Sequence, residues 1–295
     1  MLVLFIFSAV YALRIGRDMK IVGKQVLSDI ASGRIIQMRV VSPEIARVAK
    51  PGQFLVLMVS EEGERIPLTI VDTDKVKNSI DIIFQEAGLT TKLLGSLNVG
   101  NSLYALAGPL GHPTEICNYG KVIMVGGGVG IAEIYPVTKA FKEAGNYITT
   151  VIGARTKGLL ILEKELKKVS DDLCVTTDDG SYGKKGFVTD ILKELLSDTQ
   201  QPTRLVYAVG PIPMMKRVAE TTKPFGIKTL VSLNALMVDA TGMCGCCRVS
   251  LGGETKFSCV DGPEFNAHLV DWEELIKRNR IYEEKERHIC KLHNL

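Results

Sequence analysis

Four of the seven cysteines of this chain fall within sixteen residues, in the segment from Cys244 to Cys259. The segment is rich in glycine, and an aspartate, Asp239, stands just before it. Glycine lets a loop curl closely around a small object, and thiolates are the ligands that soft metal centres select. We therefore expect this loop to be built around a metal centre, and the rest of the fold must accommodate it.

The spacing of the candidate ligands narrows the kind of centre. Asp239, Cys244, Cys247 and Cys259 form the pattern D-x4-C-x2-C-x11-C. Plant-type [2Fe–2S] loops have the spacing C-x4-C-x2-C, with a fourth cysteine further along the chain. The pattern therefore predicts an iron–sulfur loop with a carboxylate in the first ligand position. Cys246 lies between two ligand positions and is the alternative to Asp239 as the fourth ligand.

A structural zinc module on a nucleotide-binding regulatory protein is the alternative of another class. Cysteine pairs such as Cys244 and Cys247 are common in zinc sites, but those sites usually add a second pair or histidines. Here only Cys259 follows, without a near neighbour. A brown protein would support the iron–sulfur interpretation, whereas a colourless protein containing zinc would exclude it.

Composition excludes several other classes. A chain of 295 residues with 46% hydrophobic and 23% charged residues is typical of a globular protein with two domains. The net charge of +3 is small and no basic block stands out, so we expect no nucleic acid partner. An odd number of clustered cysteines favours a reducing compartment over a disulfide framework, which predicts a cytoplasmic protein.

The chain begins with a strongly apolar run over residues 1–13. The run is shorter than the roughly 20 residues that span a bilayer, and no basic segment precedes it, so we expect no membrane partner. A second methionine, Met19, opens a strand-like stretch. Residues 1–18 are therefore interpreted as an upstream start or a loosely attached N-terminal extension, with a membrane anchor as the alternative.

The spacing of apolar runs divides the remaining chain into a β-rich half and an α/β half. Residues 19–113 contain short apolar runs separated by turn residues, which is typical of a small antiparallel barrel. The segment 108–113, dense in proline and glycine, is predicted to be a linker. From 114 to 233, strands alternate with helices, which predicts a doubly wound parallel sheet. The cysteine segment 234–265 follows as a small module, and 266–295 is a charged, helical tail.

The predicted strands of the barrel are 35–41, 53–59, 68–71, 80–84 and 102–107. In the α/β half they are 121–125, 147–152, 173–177, 205–209 and 228–232, and the helices are 131–144, 159–169, 188–196 and 212–222.

A glycine-rich loop between the first strand and helix of the α/β half is a candidate phosphate site. It contains Gly126, Gly127, Gly128 and Gly130, and backbone amides at a helix start receive phosphate well. The loop is not a G-x-G-x-x-G fingerprint, and the second strand ends in Arg155 rather than in an acidic residue. Such an arginine could face a pyrophosphate or a 2′-phosphate, so the residues leave NAD and NADP both open. Three further residues follow strand ends at the same predicted sheet edge: Asp178, Gly210 and Pro211.

The order of these segments resembles the ferredoxin-reductase-like electron-transfer subunits. The resemblance covers residues 19–265 and includes the dihydroorotate dehydrogenase electron transfer subunits. More closely, the chain resembles the small subunits of NADH-dependent ferredoxin:NADP oxidoreductases, which are electron-bifurcating and are also called sulfide dehydrogenases. The resemblance rests on eight segments. They are RIPLTI from Arg65, GLTT from Gly88, GPLG from Gly108, the glycine loop, GAR from Gly153, DDGSYG from Asp178, GPIPMM from Gly210 and the cysteine loop ending CVDGP.

The resemblance implies two sets of cofactor-binding residues. Arg65 would reach an FAD pyrophosphate and Thr69 would lie near the reactive flavin N5, with Pro67 and Leu68 between them. Arg65 stands one residue further from Thr69 than in the usual family pattern. Gly88, Thr90 and Thr91 match the second flavin segment. For the nicotinamide nucleotide, the resemblance adds Met214 to the residues named above. It also implies that Asp239 replaces a cysteine that the dihydroorotate relatives use as a cluster ligand.

The function implied is that of an enzyme subunit without catalytic acid, base or nucleophile. NADH, rather than NADPH, would bind the α/β half, and electrons would pass through FAD to the [2Fe–2S] cluster. They would then reach a larger flavin and iron–sulfur subunit of a heterodimer, which holds the NADP and ferredoxin chemistry. The alternative within this class is the electron transfer subunit of an NAD-linked dihydroorotate dehydrogenase.

Overall fold

The computed structural model describes residues 12–15, 19–31, 33–198 and 202–292 of the chain. The predicted N-terminal extension lies largely outside these residues. Its described part, Ala12–Ile15, pairs antiparallel with a strand of the first domain. Among the described helices, none has the length and apolar character needed to cross a membrane.

The first half forms two four-stranded antiparallel sheets, as its short apolar runs predict. The eight strands are β1 Ala12–Ile15, β2 Ile21–Ile30, β3 Gly33–Val41, β4 Phe54–Met58, β5 Ile66–Thr69, β6 Asp72–Asp74, β7 Ser79–Gln85 and β8 Ala105–Leu110. Two helices, α1 Pro43–Val48 and α2 Leu89–Ser96, connect them. The strand orders are β1-β8-β4-β5 and β2-β3-β7-β6. Side chains of both sheets share one apolar core, in which Met38, Leu55 and Ile82 are fully buried.

The predicted linker at 108–113 is partly wrong. Strand β8 continues to Leu110, which pairs with Phe54 of β4. A Cβ on Gly108 would lie 3.1 Å from the Leu55 Cβ, so this glycine serves close packing between strands rather than a turn. The connection between the domains begins after Leu110, at Gly111, whose φ of +73° suits glycine.

The second half alternates strands and helices, and its parallel sheet confirms the predicted fold class. Its strands are β9 Lys121–Gly127, β10 Tyr147–Ala154, β11 Asp172–Thr177, β12 Lys184–Lys185, β13 Leu205–Val209, β14 Lys228–Ser232, β15 Arg248–Leu251, β16 Glu254–Phe257 and β17 Glu264–Asn266. The helices are α3 Gly130–Glu143, α4 Glu163–Val169, α5 Val188–Leu196, α6 Ile212–Thr222, α7 Trp272–Asn279 and α8 Glu283–Leu292, with short 3-10 turns at Lys157–Leu159 and Lys223–Phe225.

One predicted helix begins later than expected. The segment 159–169 is predicted as one helix, but α4 begins only at Glu163. Leu162, the residue before it, has a φ of +54°, which lies in the left-handed region. The apolar residues before Leu162 therefore belong to a connection and not to the helix.

The cysteine segment is joined to the main sheet rather than appended to it. The seven-stranded sheet has the order β12-β11-β10-β9-β13-β14-β17, and its last strand, β17, comes from the end of the cysteine segment. Strand β17 pairs antiparallel with β14, and β15 and β16 form a separate hairpin. Cys247 and Cys259 are buried in the same core as Val231 and Phe265. The loop therefore lies on the apolar core of the α/β half.

One buried carboxyl group connects the three parts of the molecule. Glu264 of β17 accepts a hydrogen bond of 2.7 Å from the Tyr207 hydroxyl of β13 and a second from the Thr114 hydroxyl in the interdomain connection. Gly52 of the first domain approaches so closely that a Cβ there would lie 2.7 Å from Glu264 Oε1. Burial raises the pKa of Glu264 and that of Tyr207.

We predict that Tyr207→Phe lowers the free energy of unfolding by about 1–2 kcal/mol, because it removes one donor from a buried carboxyl group. Tyr147→Phe is the matched control, since Tyr147 lies in the same sheet and donates to Asp172 but is 40% exposed. We expect that control to change the free energy by about 0.5 kcal/mol or less. Urea unfolding of the two purified variants measures both values. Equal losses would contradict a special role for the buried bond.

Candidate functional site

The larger of two adjoining clefts lies at the carboxyl edge of the parallel sheet. Its volume is about 1320 Å³, and it receives residues that follow β9, β10, β11 and β13. Ligands of open α/β sheets bind at this edge, so the position suits a dinucleotide. Eight of the predicted nucleotide residues line the cleft: Gly127, Gly128, Gly130, Arg155, Asp178, Gly210, Pro211 and Met214.

The glycines of the loop have different physical reasons to be glycine. Gly128 has a φ of +57°, and a Cβ there would point into open space. A Cβ on Gly130 would lie 2.6 Å from the Val209 carbonyl oxygen, so the helix start can approach β13 only without a side chain. Gly126 is not among the lining residues of the cleft. A Cβ there would lie 2.8 Å from Ile134 Cδ1, which assigns Gly126 to the packing of α3 on β9.

The charges around the larger cleft have both signs. Arg155 is exposed at the end of β10, and Lys193 and Arg217 line the wall formed by α5 and α6. Two of the acidic groups are engaged locally. Asp190 accepts from the Phe187 amide at 2.8 Å, and Glu220 pairs with Arg217 at 3.4 Å. The cations that line the cleft are therefore Arg155, Lys193 and Arg217, of which Arg217 is paired with Glu220.

The smaller cleft has a volume of about 250 Å³ and is walled by all three parts of the molecule. The first domain supplies Pro67, Leu68, Thr69 and Thr91 among others. The parallel sheet supplies Tyr207, and the cysteine segment supplies residues such as Met237 and Pro263. This slot is lined mostly by apolar residues, with the Thr69 hydroxyl among its polar groups, which fits an aromatic ring system such as a flavin.

Three residues of the predicted flavin set do not line the smaller cleft. Arg65 is exposed, and the Thr90 hydroxyl donates to Glu64 at 2.7 Å. Gly88 precedes α2, where its amide donates to the Thr91 hydroxyl at 3.0 Å. A Cβ on Gly88 would meet nothing within 4 Å, so the backbone here borders open space. The start of α2 thus leaves room for the rest of a large ligand beside the slot.

Four residues lie in the wall between the two clefts and were missed by sequence reasoning as site residues. Gln85, Val129, Glu133 and Asn234 line both clefts. Glu133 is the ionisable member of this set, and the Thr69 and Ser232 hydroxyls face its carboxyl group and favour the ionised form. The only sequence signal for it is an acidic residue in the otherwise apolar first turn of α3.

The candidate metal ligands lie in one segment, in which the β15–β16 hairpin separates Cys259 from the other three, and they are not equally placed. Cys247 and Cys259 are both buried, with 3.1 Å between their sulfur atoms. Their contact lowers the pKa of Cys247 to about 6 and raises that of Cys259. Asp239 accepts from the amides of Thr241 and Cys244 at 2.9 and 3.1 Å, and these bonds lower its pKa.

The donor set fits an iron–sulfur cluster in its chemistry. Cys244 is exposed, and Cys246 directs its sulfur toward the Cys244 carbonyl oxygen at 3.9 Å. Within the described residues, no three histidine, cysteine or acidic side chains converge as a ready metal site. Three thiols and a carboxylate in one segment nevertheless offer four donors, and thiolates are the usual ligands of such clusters.

Comparison with protein families gives two matches in the second half of the chain. The iron–sulfur cluster binding domain of dihydroorotate dehydrogenase B matches residues 234–271. The oxidoreductase NAD-binding domain matches residues 124–220. The first match contains the cysteine loop, and the second contains the glycine loop and most of the larger cleft.

Whole-chain relatives include electron transfer subunits. A Thermotoga maritima protein described as a dihydroorotate dehydrogenase B (NAD(+)), electron transfer subunit homolog is 50% identical over 246 residues, covering 83% of this chain and 86% of that protein. The dihydroorotate dehydrogenase B (NAD(+)), electron transfer subunit of Geobacillus thermodenitrificans is 31% identical over 268 residues, covering 87% of this chain and 99% of that protein.

Solved structures extend the comparison. A chain of the NADH-dependent reduced ferredoxin-NADP oxidoreductase, studied for flavin-based electron bifurcation, is 45% identical with a TM-score of 0.87, covering 95% of this chain and 99% of that one. The ferredoxin reductase in carbazole 1,9a-dioxygenase is 16% identical with a TM-score of 0.60, covering 75% of this chain and 68% of that one, which shows a shared fold.

We predict that Cys247→Ser abolishes iron binding, whereas Cys246→Ser retains it, because we assign Cys247 and not its neighbour as a ligand. The two substitutions remove the same atom from adjacent residues, so each controls for the other. Iron content and visible absorption of the purified variants measure the outcome. Asp239→Ala should lower the iron content as well. Loss of iron in Cys246→Ser with full retention in Asp239→Ala would make Cys246 the fourth ligand.

Proposed function

This chain belongs to the family of dihydroorotate dehydrogenase B electron transfer subunits, and we propose that within it the chain serves an NADH-dependent ferredoxin:NADP oxidoreductase. With the boundaries expected from the sequence, residues 19–113 hold FAD, 114–233 hold NAD(H) and 234–265 hold a [2Fe–2S] cluster. The oxidoreductase chain is 45% identical over nearly its whole length, whereas the dihydroorotate dehydrogenase subunit of Geobacillus thermodenitrificans is 31% identical, and this difference supports the assignment.

The observation that carries the proposal is the composition of the smaller cleft. Thr69 of the barrel, Tyr207 of the parallel sheet and Met237 of the cysteine segment line one slot. That slot shares a wall with the larger cleft, where the nucleotide loop lies. A two-electron donor, a flavin and a one-electron acceptor could therefore sit in sequence, each next to the following one.

The residues of the chain position and separate these groups. FAD accepts a hydride and releases electrons singly, and this chemistry belongs to the cofactor. Thr69 offers a hydroxyl at the edge of the flavin slot, and Pro67 and Leu68 shape its apolar wall. Gly128 and Gly130 leave the loop backbone accessible to a phosphate group. Asp239, Cys244, Cys247 and Cys259 are proposed to hold the cluster.

We further propose a larger partner subunit with its own flavin and iron–sulfur centres, on which NADP and ferredoxin react. We place the docking face on the segment that carries the proposed ligands, because Val238 is 48% and Met243 is 89% exposed there. Exposed apolar side chains in one place mark interaction surfaces. We also propose a cytoplasmic location, in accord with the free thiols of cysteines 117, 174, 244, 246, 247 and 259.

Co-purification tests the proposed function. The tagged chain expressed in its native host should bring down a large iron–sulfur flavoprotein. The isolated chain should contain FAD and two irons, and anaerobic addition of NADH should bleach the absorption of its FAD. Co-purification with a dihydroorotate-oxidising subunit would instead support the alternative in the same family. A colourless zinc protein would contradict both.

We predict that Arg155→Gln weakens NADH binding about tenfold, because a charge-assisted contact to the pyrophosphate is lost. NADPH binding should weaken by the same factor if the arginine faces the pyrophosphate. Arg248→Gln, a substitution of the same type at an exposed position of β15, is the control and should leave both affinities unchanged. Anaerobic titrations with each nucleotide measure the effect. A loss confined to NADPH would place Arg155 at a 2′-phosphate.

A further inference from the structure

Glu133 occupies a position that the proposed function does not yet use. It lies in the first turn of α3, immediately after the nucleotide loop, and lines both clefts. The larger cleft would hold the nucleotide and the smaller one the flavin. On the proposed function, the nicotinamide ring must reach the flavin at the wall between them. Glu133 is therefore beside the place where the two rings meet.

The surroundings of Glu133 are polar but carry no opposite charge. Burial raises the pKa of Glu133 to about 7. The Thr69 hydroxyl from β5 and the Ser232 hydroxyl from β14 face the carboxyl group and oppose this rise, because they favour the ionised form. From β13, the titratable group that faces Glu133 is Tyr207, with Glu264 of β17 behind it. No cation from the described residues contributes to the pKa of Glu133.

The two redox forms of the nicotinamide differ in charge, so a nearby carboxylate interacts with them differently. The ring of NAD⁺ carries a positive charge, whereas the dihydronicotinamide ring of NADH is neutral. A carboxylate near the ring would therefore stabilise bound NAD⁺ more than bound NADH, while a protonated carboxyl group would not distinguish them by charge. In a partly desolvated site such a pair interacts more strongly than it would in water.

We propose that Glu133 determines the preference of this site between oxidised and reduced nicotinamide, and that it does so through its own ionisation. When the group is protonated, the site binds the two forms without a charge preference. When it is ionised, the site favours NAD⁺. This inference rests on the proposed function, because it requires the nicotinamide to lie against the shared wall.

The test compares NAD⁺ with 1,4,5,6-tetrahydro-NAD, an uncharged analogue of NADH that cannot donate a hydride. Both are titrated by calorimetry into the oxidised, cofactor-loaded protein at several pH values from pH 6 to pH 8. A group with a pKa near 7 goes from about one-tenth to about nine-tenths ionised over this interval. We expect the affinity for NAD⁺ to rise about tenfold and that for the analogue to change less than about twofold.

Three variants keep the test specific. Glu133→Gln should remove the pH dependence of NAD⁺ binding at unchanged flavin content. Glu143→Gln, at the exposed end of the same helix, should behave as the wild type. Ser232→Ala removes a hydroxyl that favours the ionised carboxylate, so the midpoint of the NAD⁺ profile should move to higher pH. This third variant keeps the inference testable if Glu133→Gln does not fold.

The results that would overturn the inference are distinct from a failure of the proposed function. A pH dependence that persists in Glu133→Gln, an equal response of both ligands, or an unmoved midpoint in Ser232→Ala would each contradict the role of Glu133. If neither ligand bound the wild type at either pH, the proposed function would fail first, and this inference with it.

Discussion

The candidate site depends on the closure of three chain segments around one buried carboxyl group. Glu264 accepts from Tyr207 and Thr114, and Gly52 leaves no room for a side chain against it. A buried carboxyl group that lost these partners would incur the full cost of its desolvation. The hydrogen bonds therefore hold the end of the cysteine segment, the parallel sheet and the interdomain connection in one arrangement. The smaller cleft exists only because these parts meet.

The same packing fixes the positions of the metal loop and the larger cleft relative to each other. Strand β17 makes the cysteine segment an edge of the sheet that carries the nucleotide loop, so the metal loop is fixed relative to the larger cleft. The buried thiols Cys247 and Cys259 lie in the core beneath that sheet. Electron transfer requires fixed, short separations more than it requires acid or base groups, and the protein supplies those separations by packing. A rigid wall between two clefts serves this purpose better than a mobile loop would.

Much of the fold could be predicted because its signals are local. The bounds of β13, α5, α6 and β14 agree with those expected from apolar periodicity. The prediction was wrong where a local signal had a tertiary cause. Gly108 looked like a turn residue but packs against Leu55 within a strand. The left-handed conformation of Leu162 delays the start of α4 and leaves no mark in the sequence pattern.

The candidate site shows the same division. The spacing of the cysteines and the glycine loop are contiguous in sequence, and both regions match the families that they indicated. Sequence reasoning missed Glu133 because the residues that face its carboxyl group, Thr69 and Ser232, are distant in the chain. They approach Glu133 only in the folded protein. The most direct test of the proposed electron path is electron paramagnetic resonance of the cluster after anaerobic addition of NADH to flavin-loaded and flavin-depleted protein. We expect a reduced-cluster signal only when flavin is bound, and a signal of equal size in the flavin-depleted protein would contradict the account.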